Sequence, residues 1–193
     1  MSNVYKNCPQ FENEKNLLRF ISEEDCKDLL NVYSDKKAVP LFNSDNCGGD
    51  DFYYTTESRM EEAIKYWLWE YERQGFVRWS IVDKNTNEAI GTIELFHRDS
   101  NDYFTNCGLL RLDLRSDYEN ETDIQNILSL IIESTFELFD CDKIATKAIP
   151  EAKERIKALS NMGFVLSKEK LIGHDEMEYK DYFVIKKCNV LDM

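Results

Sequence analysis

The chain has 193 residues, 42% of them hydrophobic and 12% aromatic, which is enough apolar side chain for a sizeable core and excludes a disordered chain. The 24 Lys and Arg face 37 Asp and Glu, a formal net charge of -13, so the surface repels phosphate backbones and anionic lipid heads. That argues against nucleic acid or membrane as the main partner and leaves cationic partners such as amines open, although acidity also serves solubility.

Asn16 to Ile21 reads as a first strand, and Ser22 as an N-cap that leads Glu23, Glu24 and Asp25 into a helix ending near Tyr33. Residues 35–56, with Pro40, Gly48, Gly49 and several acids, read as a long loop with a short helical turn. From Glu57 the apolar residues Met60, Ile64, Trp67, Leu68 and Tyr71 fall on one helical stripe, with Gly75 as the residue that stops it. Phe76 to Val82, the polar turn at 83–88 and Ala89 to Phe96 form a β-hairpin signal, and Thr105 to Leu114 alternates as a third strand.

A helix is expected over Glu121 to Phe139, a strand over Lys143 to Ile149, and a further helix over Glu151 to Met162, started near Pro150 and ended by Gly163. Phe164 to Leu166 and Tyr179 to Lys187 complete the chain as strands. With no repeat and no linker, residues 1–193 read as one α/β (α+β) domain. A mixed, mostly antiparallel sheet of about six to seven strands is flanked by about four helices.

The six cysteines lack any C-x-x-C pair and the two histidines stand apart, so no metal site is expected and free thiols in a reducing cytoplasmic setting are. Residues 1–16 show no apolar h-region, so no signal peptide is expected. The most apolar stretch, 128–139, is broken by Ser129, Glu133, Ser134 and Glu137, so no membrane span is expected either.

The order of elements, together with LLRFISEEDCKDLLNVY, WSIVDKNTNEAIGTIEL, LLRLDLRSDY and the closing SNMGF, resembles the GCN5-related N-acetyltransferase (GNAT) superfamily. Within it, the chain is similar to the ribosomal-protein N-terminal acetyltransferases. The resemblance implies acetyl transfer from acetyl-CoA to an amine of a small molecule or peptide, by direct attack in a ternary complex. It places the pantetheine arm against Leu112, Asp113 and Leu114, and the pyrophosphate on main-chain N–H groups at the start of the next helix.

The family's Q/R-x-x-G-x-G/A cradle falls on Glu119, Asn120, Glu121, Thr122, Asp123 and Ile124, with no glycine anywhere between Gly108 and Gly163. Three acids there repel a phosphate, and they also suit the capping of a helix N-terminus. The family's Asn and Ser of the last helix fall on Ala152 and Arg155, and its general-acid tyrosine on Leu159; Arg155 is a candidate partner for a phosphate of the cofactor.

By family position Glu94 is the first candidate base, Asp113 the second, and Ser160 a candidate proton donor near the sulfur. His97 is a candidate acting through water, and each also has an ordinary structural reading. The run Phe52-Tyr53-Tyr54, beside Asp50 and Asp51, reads as an exposed acidic and aromatic wall suited to a cationic amine. An N-acetyltransferase is the leading reading; a binding or regulatory protein of the same fold without the phosphate cradle, and an acyltransferase with a different acyl donor, stay open beside it. Monomer and homodimer are both open.

Overall fold

The first helical segment shows how the local sequence sets the frame. The Ser22 hydroxyl accepts from the Glu24 N–H and the Asp25 carboxylate accepts from the Ser22 N–H, a capping box that opens a single 3-10 turn before the helix proper. Asp25 also takes a two-pronged bond from Arg19 and the hydroxyl of Ser80, so the cap ties the helix to the sheet.

The computed structural model describes residues 4–187. In chain order these form β1 (Phe11–Glu12), β2 (Asn16–Phe20), α1 (Cys26–Tyr33), α2 (Glu57–Glu72), β3 (Val77–Asp83), β4 (Glu88–Arg98) and β5 (Cys107–Leu114). Then come α3 (Glu121–Leu128), α4 (Ile132–Leu138), β6 (Lys143–Lys147), α5 (Lys153–Asn161), β7 (Val165–Leu166), β8 (Leu171–Ile172), β9 (Glu178–Tyr179) and β10 (Tyr182–Lys186). An eight-stranded sheet runs in the order β1-β2-β3-β4-β5-β6-β10-β7, while β8 and β9 form a separate hairpin. Every pairing in the large sheet is antiparallel except β5 with β6.

The expected mixed, mostly antiparallel sheet is present, one strand wider than expected because the two-residue β1 is too short to carry a period. Tyr179 joins the small hairpin, not the final strand of the sheet. The helix expected over 121–139 is two helices. The Asn126 carbonyl accepts from the Asn13 side chain and the Ser129 hydroxyl, while the Leu130 N–H turns back to Ile127 O. A carbonyl taken by side-chain donors releases its helical partner, and the ladder breaks there.

Gly75 is not the left-handed residue that ends α2. Gln74 takes φ +63°, and the Gly75 N–H closes on Glu70 O at 2.8 Å. A side chain at 75 would strike the Glu70 carboxylate at 2.0 Å. Gly163 does end α5 as expected, at φ +84° with the Phe164 N–H on Leu159 O, although that helix begins at Lys153, beyond Pro150.

One face of the sheet buries Trp79, Ile93 and Leu112 with Ile124, Ile127 and Leu159 from α3 and α5. The other face lies under α1 and α2, which pack Leu29, Tyr33, Ile64 and Trp67 into a second core. That second face carries the charged residues.

Candidate functional site

Three neighbouring strands interrupt their apolar pattern at the same level. Arg78 pairs with Glu94, which pairs with Arg111; Ser80 pairs with Thr92, which pairs with Asp113. Alternation along each strand sends all six side chains to one face, so the register itself assembles a polar ladder. Arg78 is 1% exposed and central. It donates to Tyr33 Oη at 2.8 Å, to Thr92 at 3.0 Å, to Asp113 at 3.0 Å and to Glu94, and its guanidinium lies 4.0 Å above the Trp67 ring. Arg111 adds a second donor to Glu94 at 2.5 Å.

The two carboxylates are pushed in opposite directions. Burial opposes the charge of Glu94, yet Arg78 and Arg111 prevail and hold it below the usual carboxylate range. Burial dominates at Asp113 and raises it; Arg78 and the Tyr33 hydroxyl, 2.7 Å from Oδ2, offset this in part, and Oδ1 has no hydrogen-bond partner among the described residues. Burial next to Asp113 raises the Tyr33 phenol well above its ordinary value.

Against this ladder lies a cavity of about 1150 Å³, bounded by the loop at 45–54, by α2, by the end of β4 and by the turn of the β8–β9 hairpin. Glu94, Arg111 and His97 reach its wall, whereas Asp113 does not. His97 is anchored by Nδ1 to Phe139 O at 2.7 Å. Phe52 and Tyr54, expected as an exposed wall, are 5% and 2% exposed and pack on Tyr33, because the run alternates and only Tyr53 points outward. Ser160 is not brought to Glu94 and Asp113: it is exposed on α5 and its hydroxyl donates to Ile156 O.

The side where a cofactor arm is expected has a different character. Parallel pairing of β5 with β6 runs from Cys107–Lys143 to Leu110–Thr146 and stops, so Arg111 to Leu114 leave β6. Arg155 stands in the opening, 2% exposed. It donates from Nη1 to Leu112 O at 2.9 Å and to Leu41 O at 3.1 Å, and from Nε and Nη2 to the two oxygens of Glu119 at 2.8 and 2.7 Å. Leu114, the other expected contact for the arm, is fully buried in the core.

The segment expected to cradle a pyrophosphate is spent on the protein itself. Asn120 caps α3 by accepting from the Asp123 N–H at 3.1 Å. Asp123 accepts from Asn120 Nδ2 and from Lys15, and Glu121 accepts from Asn161 at 2.7 Å. The N–H groups of Tyr118, Glu119 and Asn120 close turns within the loop, and that of Ser116 is held by Asp35. Thr122 is exposed on the first turn of α3. The Leu112 carbonyl, on which the arm is expected to bond, already accepts from Arg155, and the Glu119 carboxylate is paired with the same arginine.

Among the described residues no cluster of His, Cys, Asp and Glu is placed to hold a metal, and no helix is long and apolar enough to cross a membrane. The five described cysteines are free, and Cys188 lies outside the described residues.

A mostly antiparallel sheet with one parallel pair at β5–β6, and a cavity reaching Leu109 and Arg111 of β5, matches the expected GNAT-type α/β fold. A family model described as "Acetyltransferase (GNAT) domain" matches residues 16–165. The chain belongs to the GNAT acetyltransferase family.

Solved structures agree on the fold. Ribosomal-protein-S5-alanine acetyltransferase from Vibrio fischeri superimposes with a TM-score of 0.66 at 19% identity, covering 91% of this chain and 94% of that one. An acetyltransferase of the GNAT family from Bacillus anthracis gives 0.66 at 13% identity, covering 93% and 99%. Mutant forms of the spermidine/spermine N-acetyltransferase SpeG from Vibrio cholerae give 0.63 at 15%, covering 93% and 98%. No curated protein matches the chain.

Arg78, Arg111, Tyr33 and Thr92 were absent from the candidates drawn from sequence. For Arg78, Thr92 and Arg111 the signal is a polar residue at every second position in three consecutive, otherwise apolar strands; Tyr33, on α1, carries no such signal.

Proposed function

We propose that the chain is an N-acetyltransferase that moves an acetyl group from acetyl-CoA to a primary amine of a small molecule or a protein N-terminus. The observation that carries this reading is the parting of β5 from β6 after Leu110–Thr146 beside a cavity of about 1150 Å³. A cavity of that size receives a substrate of drug-like dimensions or a peptide end. The aromatic rings on the wall, Tyr54, Trp67 and Phe96, are already engaged by Arg59, Arg78 and Arg111 and shape the cavity without offering a free face to a cation. The wall carboxylates add little net charge, because Asp45, Asp50, Glu70 and Asp102 each already hold a cation.

Glu94 reaches the cavity but is a weak base at neutral pH, since a base works best when its pKa lies near the working pH and Arg78 and Arg111 hold this one low. Its role in this reading is to fix Arg111 at the wall. Asp113, sealed beneath, supports Arg78 and Tyr33.

A second reading has one observation in its favour, the Arg155–Glu119 pair in the opening: a binding or regulatory protein that keeps the scaffold and has given up the cofactor. Thermal-shift titration with CoA and acetyl-CoA separates the two, since a ligand at 100 times its Kd adds about 2.7 kcal/mol. The transferase reading expects a shift, together with a mass gain of one acetyl group on a polyamine or peptide amine. No shift at millimolar CoA overturns it in favour of the second.

A further inference from the structure

Arg59, Arg73, Arg78, Arg98 and Arg111, five of the chain's eight arginines, line the cavity, and no lysine does among the described residues. The acids of the wall are mostly spent on them: Asp50, Glu70, Glu94 and Asp102 pair with wall arginines, and Asp45 with Lys147. Asp99 is the exception. It is exposed on the wall, accepts the Thr105 hydroxyl at 2.7 Å, and is in no ion pair among the described residues.

The arginines differ in what they have left to give. Arg78 is committed to the ladder, and Arg98 to Asp102, Phe104 O and Ile172 O. Arg59 and Arg73 are 42% and 56% exposed, so water competes for their donors and attraction there is weak. Arg111 is 9% exposed and still reaches the wall. It spends one N–H of Nη1 on Glu94 and one of Nη2 on Asp45 O at 3.0 Å, which leaves a further N–H on each. Its Nε has no partner among the described residues. Buried donors call for an oxygen, and the fork of a guanidinium matches the two oxygens of a carboxylate.

We propose that the acceptor is a zwitterion of the amino-acid class, an amine that also carries a carboxylate, with the carboxylate seated on Arg111 and the ammonium turned toward Asp99. The cavity is taken here as the acceptor side, so the proposal rests on the transferase reading and names its substrate class. A charge-assisted bond to Arg111 forms away from bulk water and is worth more than one at the exposed rim. An amine without a carboxylate leaves those donors unmatched and sets its charge against the wall arginines.

The full-length protein, with and without CoA present, is titrated by calorimetry with each of the common L-amino acids. The tightest binder is then compared with its matching amine, in which hydrogen replaces the α-carboxylate. We expect the amino acid to bind at least about tenfold tighter than that amine, the difference a charge-assisted bond supplies. Arg111→Gln brings the amino acid down to the level of the amine, while Arg115→Gln, which loses an ion pair away from the cavity, matches wild type. Arg111→Lys keeps a cation against Glu94 but lacks the fork, so it weakens the amino acid as well and serves where Arg111→Gln fails to fold. No binding of any amino acid, equal affinity for the matching amine, or wild-type affinity in a folded Arg111 variant overturns the proposal. Amino-acid binding without any acetylation upholds the site and overturns the transferase reading. Acetylation of the matching amine with the same kcat/KM as the amino acid upholds the transferase and overturns the zwitterion.

Discussion

Arg78→Met tests whether the charged ladder is a tightly coupled structural unit. The substitution keeps most of the volume over Trp67 but deletes the donors to Tyr33, Thr92, Asp113 and Glu94. Glu94 is then left with Arg111 alone, and Asp113 with the Tyr33 hydroxyl, both still under α1 and α2. Removing one partner of a buried ion pair costs about 3–5 kcal/mol. That is a third or more of the total for a weakly stable domain. At about 2–4 °C per kcal/mol for a chain of this size, the melting temperature falls by about 6–20 °C.

The loss depends on pH. In wild type Glu94 is held low, so its contribution is present above the unfolded carboxylate value and disappears as pH falls through the folded one. Asp113 is raised, so it works the other way: the folded state holds its proton longer, and stability declines as pH rises through that window. Without Arg78 both carboxyls shift upward, protonation relieves them in the folded state, and the variant regains stability relative to wild type as pH falls from about 7 to about 5. Urea unfolding followed by circular dichroism at both pH values measures this. A loss below about 1 kcal/mol at pH 7, or a loss no smaller at pH 5, refutes the reasoning.

Glu94→Gln and Asp113→Asn should separate, because the fold favours the charge of the first and disfavours that of the second. We expect about 3 kcal/mol or more for Glu94→Gln and under about 1 kcal/mol for Asp113→Asn from urea midpoints at pH 7, and equal losses would contradict the ladder's electrostatics. Asp102 is held below the usual range because Arg98 and the N–H groups of Ile172 and Phe104 outweigh its burial; its contribution is present above the unfolded value and lost as pH falls. Asp102→Asn should therefore flatten the acid limb of the stability curve below about pH 5, and an unchanged limb counts against it. Gly91→Ala drives a methyl to 2.3 Å from Asp113 O, a main-chain atom that cannot swing aside, and should cost about 1–3 kcal/mol by thermal melting; an unaltered melting curve would show that β4 and β5 separate more freely than their register implies.

Much of the frame was legible because it rests on local signals: the Ser22 cap, the 3.6-residue stripe of α2, the hairpin at 83–88, and Gly163 after α5. What escaped depends on partners far away in sequence. The break between α3 and α4 is made by the nearby Ser129 together with Asn13, more than a hundred residues upstream, and no glycine or proline marks it. Phe52 and Tyr54 look exposed beside acids until Tyr33 is known to stack on them. Position alone makes Glu94 a candidate base, yet its properties are set by two arginines that the register of β3 and β5 brings opposite it. The conflict between the acids at 119–123 and a phosphate was visible in the sequence. That Glu119 had already found Arg155 was not, since nothing local connects an acid after β5 to a base on α5.

The two margins of the large sheet are its shortest strands: β1 and β7 each contribute two residues, and Pro9 just before β1 withholds an amide. A stray extended segment needs a long row of free main-chain donors and acceptors to dock, and neither border supplies one. Fibril-like stacking of this sheet, border to border, is discouraged by geometry alone, even where Val165 and Leu166 leave apolar side chains in view.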